Sequence, residues 1–347
     1  MASDLHDRHE AAERALAELV GSATVVDPVG SGTHREVGGP APSGATPVSA
    51  PAGVLAYEPA DLTVTVGAGT TVGALDATLA EHDQECALDP ADRAATVGGT
   101  IAVGLSGPRR LRVGPLRDQV LEVRFASADG RLVRGGGPTV KNVTGYDLPR
   151  LLVGSFGTIG VLTRVILRCR PKPMCSRWYS APTRPDQALS TCLRPSTVMW
   201  DGRRTWVLLE GQVRDVEDDA ARAGLAVSEA PAFPSAPNRG RISVVPGAIV
   251  ALGTSLDALP GVAWLSEAGI GTVHVGALDR VGLQACRDAA TDAGGWMLRE
   301  AGAPDLDGFG RTLPNDALAE RVRAAFDPEG KLAPGRLPRP LVDLEAR

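Results

Sequence analysis

No stretch of this 347-residue chain reaches the roughly 18 uninterrupted apolar residues of a membrane-spanning helix. Its first twenty residues, MASDLHDRHEAAERALAELV, hold acids and histidines where a signal peptide has an apolar core of roughly 7–15 residues. The expectation is therefore a cytoplasmic protein. Lysine-rich blocks and long basic helices are missing too, and with a formal charge of −5 and a pI near 5.6 the chain is a poor partner for nucleic acid. The five cysteines (Cys86, Cys169, Cys175, Cys192, Cys286) form no C-x-x-C pair. That scatter reads as reduced thiols and excludes a zinc knuckle or iron–sulfur loop, so no metal is expected. Neither GLSGP around Ser106 nor VGSFG around Ser155 spells the G-x-S-x-G elbow of a serine hydrolase.

Glycine is plentiful, at 41 residues, and so is apolar sequence, at 43%. The length and apolar content suffice for two domains with substantial cores. Helical spacing of Ala12, Leu16, Leu19 and Val20 predicts an amphipathic helix over 9–20, stopped by Gly21. A strand is expected at 23–26, a surface connection over 40–53, a strand over 61–69 with Leu62, Val64 and Val66 on one face, and then a helix. SADGRLV carries the Asp-Gly turn of a hairpin between Val120–Ala126 and Arg131–Arg134. IGVLTRVILRCRPKP reads as a long strand ended by Pro171 and Pro173, where the first domain boundary is placed. Beyond it the pattern weakens. Strands are expected at 205–213, twice within GVAWLSEAGIGTVHVGAL and at GWMLRE; helices at RDVEDDAARAGL, DRVGLQACRDAATDAG and DALAERVRAAF; and a proline-rich loop at PAFPSAPNRGR. This mixture is α+β.

TVTVGAGTTVGAL invites a Rossmann reading, but Gly67, Gly69 and Gly73 are spaced G-x-G-x-x-x-G, one residue longer than the dinucleotide fingerprint. Three other glycine loops make more sense together: Gly30-Ser31-Gly32-Thr33, Thr96-Val97-Gly98-Gly99 and Gly154-Ser155-Phe156-Gly157-Thr158. A dinucleotide pyrophosphate needs several backbone N–H donors converging on it, and small residues let the main chain come that close. Any one loop alone is as readily an ordinary turn.

The run from ATVGGTIAVGLSGPRR through KNVTGYDLPRLLVGSFGTIGVLTRV resembles the FAD-binding domain of the p-cresol methylhydroxylase (PCMH) and vanillyl-alcohol oxidase type. Within that superfamily it is most similar to the FAD-binding E subunits of bacterial glycolate oxidases, where SGPRR followed by KNVxGYDLxRLxVGSxGTxGV is distinctive. The ending RAAFDPEGKLAPGRLP resembles that family's aFDPxGxxNPGRx, with Ala333 in place of Asn. The resemblance covers about half the chain, mainly residues 23–170 and 316–338.

The resemblance implies a PCMH-type fold of two α+β subdomains clamping an extended, noncovalent FAD, with a smaller α+β cap. The FAD domain would span 1–170 (subdomains about 1–90 and 91–170), the cap 171–312, and 313–347 a helix and tail returning to the FAD domain. Gly30, Ser31, Gly32 and Thr33, with Thr96, Val97, Gly98 and Gly99, would take the pyrophosphate; Gly104, Ser106 and Gly107 would approach the flavin or its ribityl chain. Asn142, Thr144, Gly145, Asp147 and Leu148 would flank the isoalloxazine, and Gly157, Thr158, Ile159 and Val161 the adenine half. Asp147 reads equally as a helix N-cap. Should a substrate carboxylate bind, Arg109 and Arg110 are the cations at hand, although PRRLR reads more readily as a surface or partner contact. His34 lies one residue beyond the family's covalent attachment position, and His274, in GIGTVHVG, is the nearest remnant of the metal-binding H-x-G-D-G-N-x-H cluster of catalytic relatives. No general base stands out. The function implied is an FAD-binding subunit of a glycolate-oxidase-like complex that turns a 2-hydroxy acid into a 2-oxo acid. Its partners would be a second FAD-binding subunit and an iron–sulfur subunit, with attachment to the inner membrane face only through them. An independent FAD-dependent oxidase or dehydrogenase, or a non-catalytic assembly subunit with a vestigial flavin site, are the alternatives.

Overall fold

The computed structural model describes residues 2–138, 146–310 and 315–338. Up to residue 171 the strands are β1 (Val26–Pro28), β2 (Thr46–Val48), β3 (Val54–Glu58), β4 (Thr63–Gly67), β5 (Gln84–Glu85), β6 (Val120–Ala126), β7 (Leu132–Gly136), β8 (Val161–Arg168) and β9 (Arg170–Pro171). An antiparallel five-stranded sheet runs β3-β4-β8-β6-β7, while β1 and β2 pair in parallel and β5 pairs with β9. Alternation is visible in β4, where Val64 and Val66 are buried between partly exposed threonines. Leu62 precedes the strand, at φ 54° with its amide bonded to the Pro59 carbonyl, and packs partly buried against the core that holds Val64 and Val66. Gly130, at φ 80°, turns the expected hairpin between β6 and β7. The 40–53 stretch, read as a surface connection, contains β2 with Val48 buried; three residues are too short for alternation to show.

Helix α1 (Ala2–Ser22) is longer than its apolar spacing suggests and turns a different face inward. His9, Glu13, Leu16, Ala17 and Val20 are buried, whereas Ala12 and Leu19 are exposed. The reason is electrostatic. Glu13 lies 3.0 Å from Arg124 of β6 and 3.5 Å from Arg164 of β8, and accepts a 2.8 Å hydrogen bond from Thr163, so a charged face docks on the sheet. The sheet's opposite face is covered by α2 (Val72–Ala80) and α3 (Val97–Val103), which bury Leu75, Leu79, Val97 and Ile101 with Val123, Phe125 and Leu167.

Strands β10 (Cys175–Ala181), β11 (Thr197–Trp200), β12 (Thr205–Gly211), β13 (Ala226–Val227), β14 (Asn238–Ser243), β15 (Val262–Glu267), β16 (Thr272–Ala277) and β17 (Trp296–Ala301) form an antiparallel sheet in the order β13-β10-β12-β11-β15-β16-β14-β17. Helices Val213–Arg222, Ile249–Asp257 and Arg280–Asp292 pack on one face, around an edge-to-face Trp200–Trp264 pair 5.3 Å apart. The proline-rich loop ends sooner than its composition suggests. Its last residues become β14, paired on both sides, because neighbouring strands satisfy a backbone whose Asn, Arg and Gly side chains show no apolar alternation.

On the other face, Leu298 of β17 joins Val37, Val103, Phe156 and Phe309. Residues 327–336 return to the first strands: Val26 donates to the Lys331 carbonyl at 2.8 Å and accepts from the Ala333 amide at 2.9 Å, and Lys331 donates to the Gly21 carbonyl. Among the described residues no helix is long and apolar enough to cross a membrane.

Candidate cofactor-binding site

A cavity of about 380 Å³ opens between the loop after β1, the start of α3 and residues 156–162. Among the described residues its lining holds no carboxylate side chain, and the charged or titratable groups there are His34, Arg35 and Arg336. The loop is held at its ends, by the Val29 amide on the Val48 carbonyl and the Arg35 amide on the Gly32 carbonyl. Between them the amides of Gly30, Ser31, Gly32, Thr33 and His34 donate to no acceptor among the described residues. Gly32 sits at φ +82° with nothing within 4 Å of where a Cβ would point. A left-handed residue within a run of unpaired amides makes a concave set of N–H dipoles, which is an anion cradle. Gly30 must lack a side chain, since a Cβ would collide with Thr96 Oγ1. Gly157 is constrained twice, at φ +77° and with a Cβ position 2.8 Å from Pro28 Cγ.

Thr96 to Gly99 behaves differently. Val97 donates to the Thr70 carbonyl and Gly98 to the Ala68 carbonyl, both at 2.8 Å, and Gly99 donates to Thr96 Oγ1 at 3.1 Å. The donors expected there for a pyrophosphate are engaged within the protein. Thr96 caps α3, Val97 is fully buried, and Gly98 and Gly99 form cavity wall because side chains there would strike Ala68 and Thr96.

Gly104, Ser106 and Gly107 lie outside the cavity lining, between α3 and the second sheet. Gly104 ends α3 at φ +74° against Gly154, Ser106 Oγ accepts from the Leu116 amide at 3.0 Å, and Gly107 abuts Asp89. Asn142, Thr144 and Gly145 fall outside the described residues. Asp147 accepts from the Arg150 amide at 3.1 Å as an exposed N-cap, while Leu148 packs on Gly135. Thr158 is buried and donates to the Ser155 carbonyl at 2.7 Å; Ile159 is buried as well, and Val161 reaches the cavity.

Arg109 is committed elsewhere. Its fork takes Asp89 at 2.8 and 2.7 Å, and its Nη1 lies 2.7 Å from Glu85 and 3.4 Å from Glu210 of β12. Burial opposes its charge, but the Asp89 hydrogen bonds and the carboxylates around it outweigh that and raise its pKa. Half-buried, it is an ionic link between β5 and the second sheet, neither a free cation for substrate nor the solvated surface its spelling suggests. Arg110 begins a four-residue helix, half-buried, with no ion pair among the described residues.

His34 lies within 3.1 Å of Thr33 Oγ1 through Nδ1, and burial lowers its pKa. On the face of the second sheet that meets α3, His274 Nε2 is 2.6 Å from Glu267 Oε1, Arg241 is 3.7 Å from the same oxygen, and Arg241 donates to the Ser106 carbonyl at 2.7 Å. Glu267 is 2% exposed, and its Oε2 has no hydrogen-bond partner among the described residues. Sequence reasoning missed Arg241, Glu267 and Arg336. The first two are signalled only by cross-strand register, and Arg336 only by its place in the PGR ending.

Residues 8–136 match the FAD binding domain family. Glycolate oxidase subunit GlcE of Escherichia coli is 35% identical over 191 residues, which cover 52% of this chain and 55% of that one. A D-lactate dehydrogenase of Archaeoglobus fulgidus is 42% identical over 106 residues, 30% of this chain and 24% of that one. The chain thus spans about half the length of the first relative and a quarter of the second. Alkyldihydroxyacetonephosphate synthase superposes with a TM-score of 0.68 at 14% identity, covering 94% of this chain and 74% of the synthase. That likeness fixes the fold as α+β of the PCMH type.

Proposed function

Residues 8–136 match the FAD binding domain family, and from that match we propose that the chain holds FAD noncovalently with its pyrophosphate on loop 30–34. One observation carries this reading: consecutive amides from Gly30 to His34 without acceptors, on a loop curved by Gly32, at a cavity lined by no carboxylate. Arg336, which has no ion pair among the described residues, adds positive charge at the same cavity. Bound FAD supplies a two-electron acceptor. The chain's own part is to orient it, to exclude water with Val103, Phe156 and Leu162, and to neutralise its phosphates.

The wider proposal is a cytoplasmic flavoprotein oxidoreductase subunit of a glycolate-oxidase-like complex, acting on a 2-hydroxy acid with a second FAD-binding subunit and an iron–sulfur subunit. Its support is the likeness to GlcE over half of that subunit's length, together with Arg109 being held by carboxylates of the chain itself. A second reading, turnover by the single chain, is favoured by the His274–Glu267–Arg241 group, which places a histidine oriented by a buried carboxylate beside a guanidinium. Dye-linked oxidation of a panel of 2-hydroxy acids by the purified chain, compared with the co-expressed complex, separates the two. Slow or absent turnover alone and activity in the complex support the subunit; turnover on the order of 1–10³ s⁻¹ by the chain alone reverses the choice. Flavin released by acid precipitation supports noncovalent binding, whereas flavin kept in the pellet contradicts it.

A further inference from the structure

Building on the FAD reading, we infer that Arg336 is the positioning residue of the phosphate end: from the C-terminal segment it sets the shape of loop 30–39 and brings the buried positive charge that a pyrophosphate completes. Arg336 is 8% exposed and lines the cavity. Its Nη1 donates to the carbonyls of Arg35 at 2.8 Å and Gly39 at 2.7 Å, and its Nη2 to that of His34 at 3.4 Å. Its own carbonyl accepts from the Gly39 amide at 3.1 Å, and the guanidinium lies over the Phe156 ring, 5.9 Å from the centroid. One fork therefore gathers the carbonyls of the turn that leaves the loop, while the amides of the preceding residues have no acceptor among the described residues.

The main chains themselves touch here. A Cβ on Gly39 would collide with the Gly335 carbonyl, and Gly335 takes φ +88°, so the tail crosses the loop at a point where only glycine fits on both sides. Arg299 of β17 grips the same segment from elsewhere, donating to the Gly38 carbonyl at 2.8 Å and the Gly302 carbonyl at 3.0 Å, and is 6% exposed. Neither arginine has an ion pair among the described residues, whereas Arg35 is paired with Asp27. Burying a guanidinium whose direct hydrogen-bond partners are carbonyl dipoles is costly, and an anion at the cavity offsets that cost. Burial lowers the pKa of Arg336, with Arg35 and Arg299 adding to it and Asp27 opposing.

The experiment compares unaltered chain, Arg336→Gln and Arg336→Lys for FAD affinity by flavin fluorescence, and for displacement of FAD by ADP and by adenosine, which differ only in the phosphates. Thermal melting and far-ultraviolet circular dichroism track folding. Losing a fork of charge-assisted hydrogen bonds weakens FAD and ADP roughly 10- to 100-fold in Arg336→Gln while adenosine stays within about twofold; Arg336→Lys, which keeps the charge without the fork, falls between. FAD and ADP affinities unchanged in folded Arg336→Gln, or adenosine weakened as much as ADP, overturn the inference. Should the glutamine variant fail to fold, Arg336→Lys decides: unchanged ADP affinity overturns the role, and a selective loss supports it. Failure of the unaltered chain to bind FAD would instead overturn the cofactor reading itself.

Discussion

Loop 30–34 leaves its main-chain amides unpartnered, whereas those of residues 97–99, across the Gly30–Thr96 contact, are bonded to Thr70, Ala68 and Thr96. Both stretches combine glycine with small residues beside regular structure. The difference lies in their neighbours. Residues 95–98 run against 68–72, where the Thr70 and Ala68 carbonyls take the amides of Val97 and Gly98, while among the described residues no carbonyl is placed to take the amides of 30–34. Glycine spacing thus reports that something approaches closely; the partners of the amides report what. At Gly98 it is the protein's own Ala68. At Gly32 no atom of the described residues lies within 4 Å of where a Cβ would point.

The largest expected effect sharpens this contrast from the loop's far wall. Gly157→Leu adds a side chain against Pro28 at a left-handed residue, costing roughly 3 kcal/mol, or about 100-fold in FAD affinity by titration. Stoichiometric flavin in a folded Gly157→Leu variant would remove the cavity from the account. Gly32→Ala meets no atoms, so only its φ of +82° is penalised; a strain of about 1–2 kcal/mol predicts a loss of about 5- to 30-fold. Thr96→Ala removes the cap of α3 and should cost about 1 kcal/mol in urea unfolding while FAD affinity moves less than about threefold. If Thr96→Ala weakened FAD as much as Gly32→Ala, the two loops would not differ as described.

The smallest effect lies away from both loops and tests the charged docking of α1. Burial is the main cause lowering the pKa of His9 below 6.5, with Arg164, His6 and Arg124 adding to it and Glu13 opposing. A depressed histidine pKa contributes stability that is complete above about pH 6.5, the unfolded value, and is lost as the pH falls from there through the folded value. Melting temperature should therefore drop between pH 7.5 and 5.5 more steeply in the unaltered chain than in His9→Gln. Equal slopes would exclude His9 as the source.

Much of the fold is legible in particular residues. Val64 and Val66 alternate, Asp129-Gly130 turns a hairpin, and Thr71 and Asp279 cap helices that apolar spacing already marks. What escapes reading is what depends on partners distant in sequence. The inward face of α1 carries the polar His9 and Glu13 beside Leu16, Ala17 and Val20 because Arg124 and Arg164 await Glu13; β14 is a strand because β16 and β17 flank it; Arg109 is half-buried and held because Asp89, Glu85 and Glu210 converge on it. The candidate site divides the same way. Gly30 to Thr33 and Gly157 are visible as glycine signals, but that the amides of 97–99 are already used, and that Arg336 reaches loop 34–39 from about 300 residues away, depends on contacts that no local pattern encodes.

Hydrogen exchange of the backbone amides, read with and without FAD, tests the contrast between the two loops most directly. The account predicts that amides 30–34 exchange fast in the free chain and become protected when FAD binds, while amides 97–99 are protected in both states. Amides 30–34 that stay fast in the FAD-bound chain while 97–99 gain protection would contradict it.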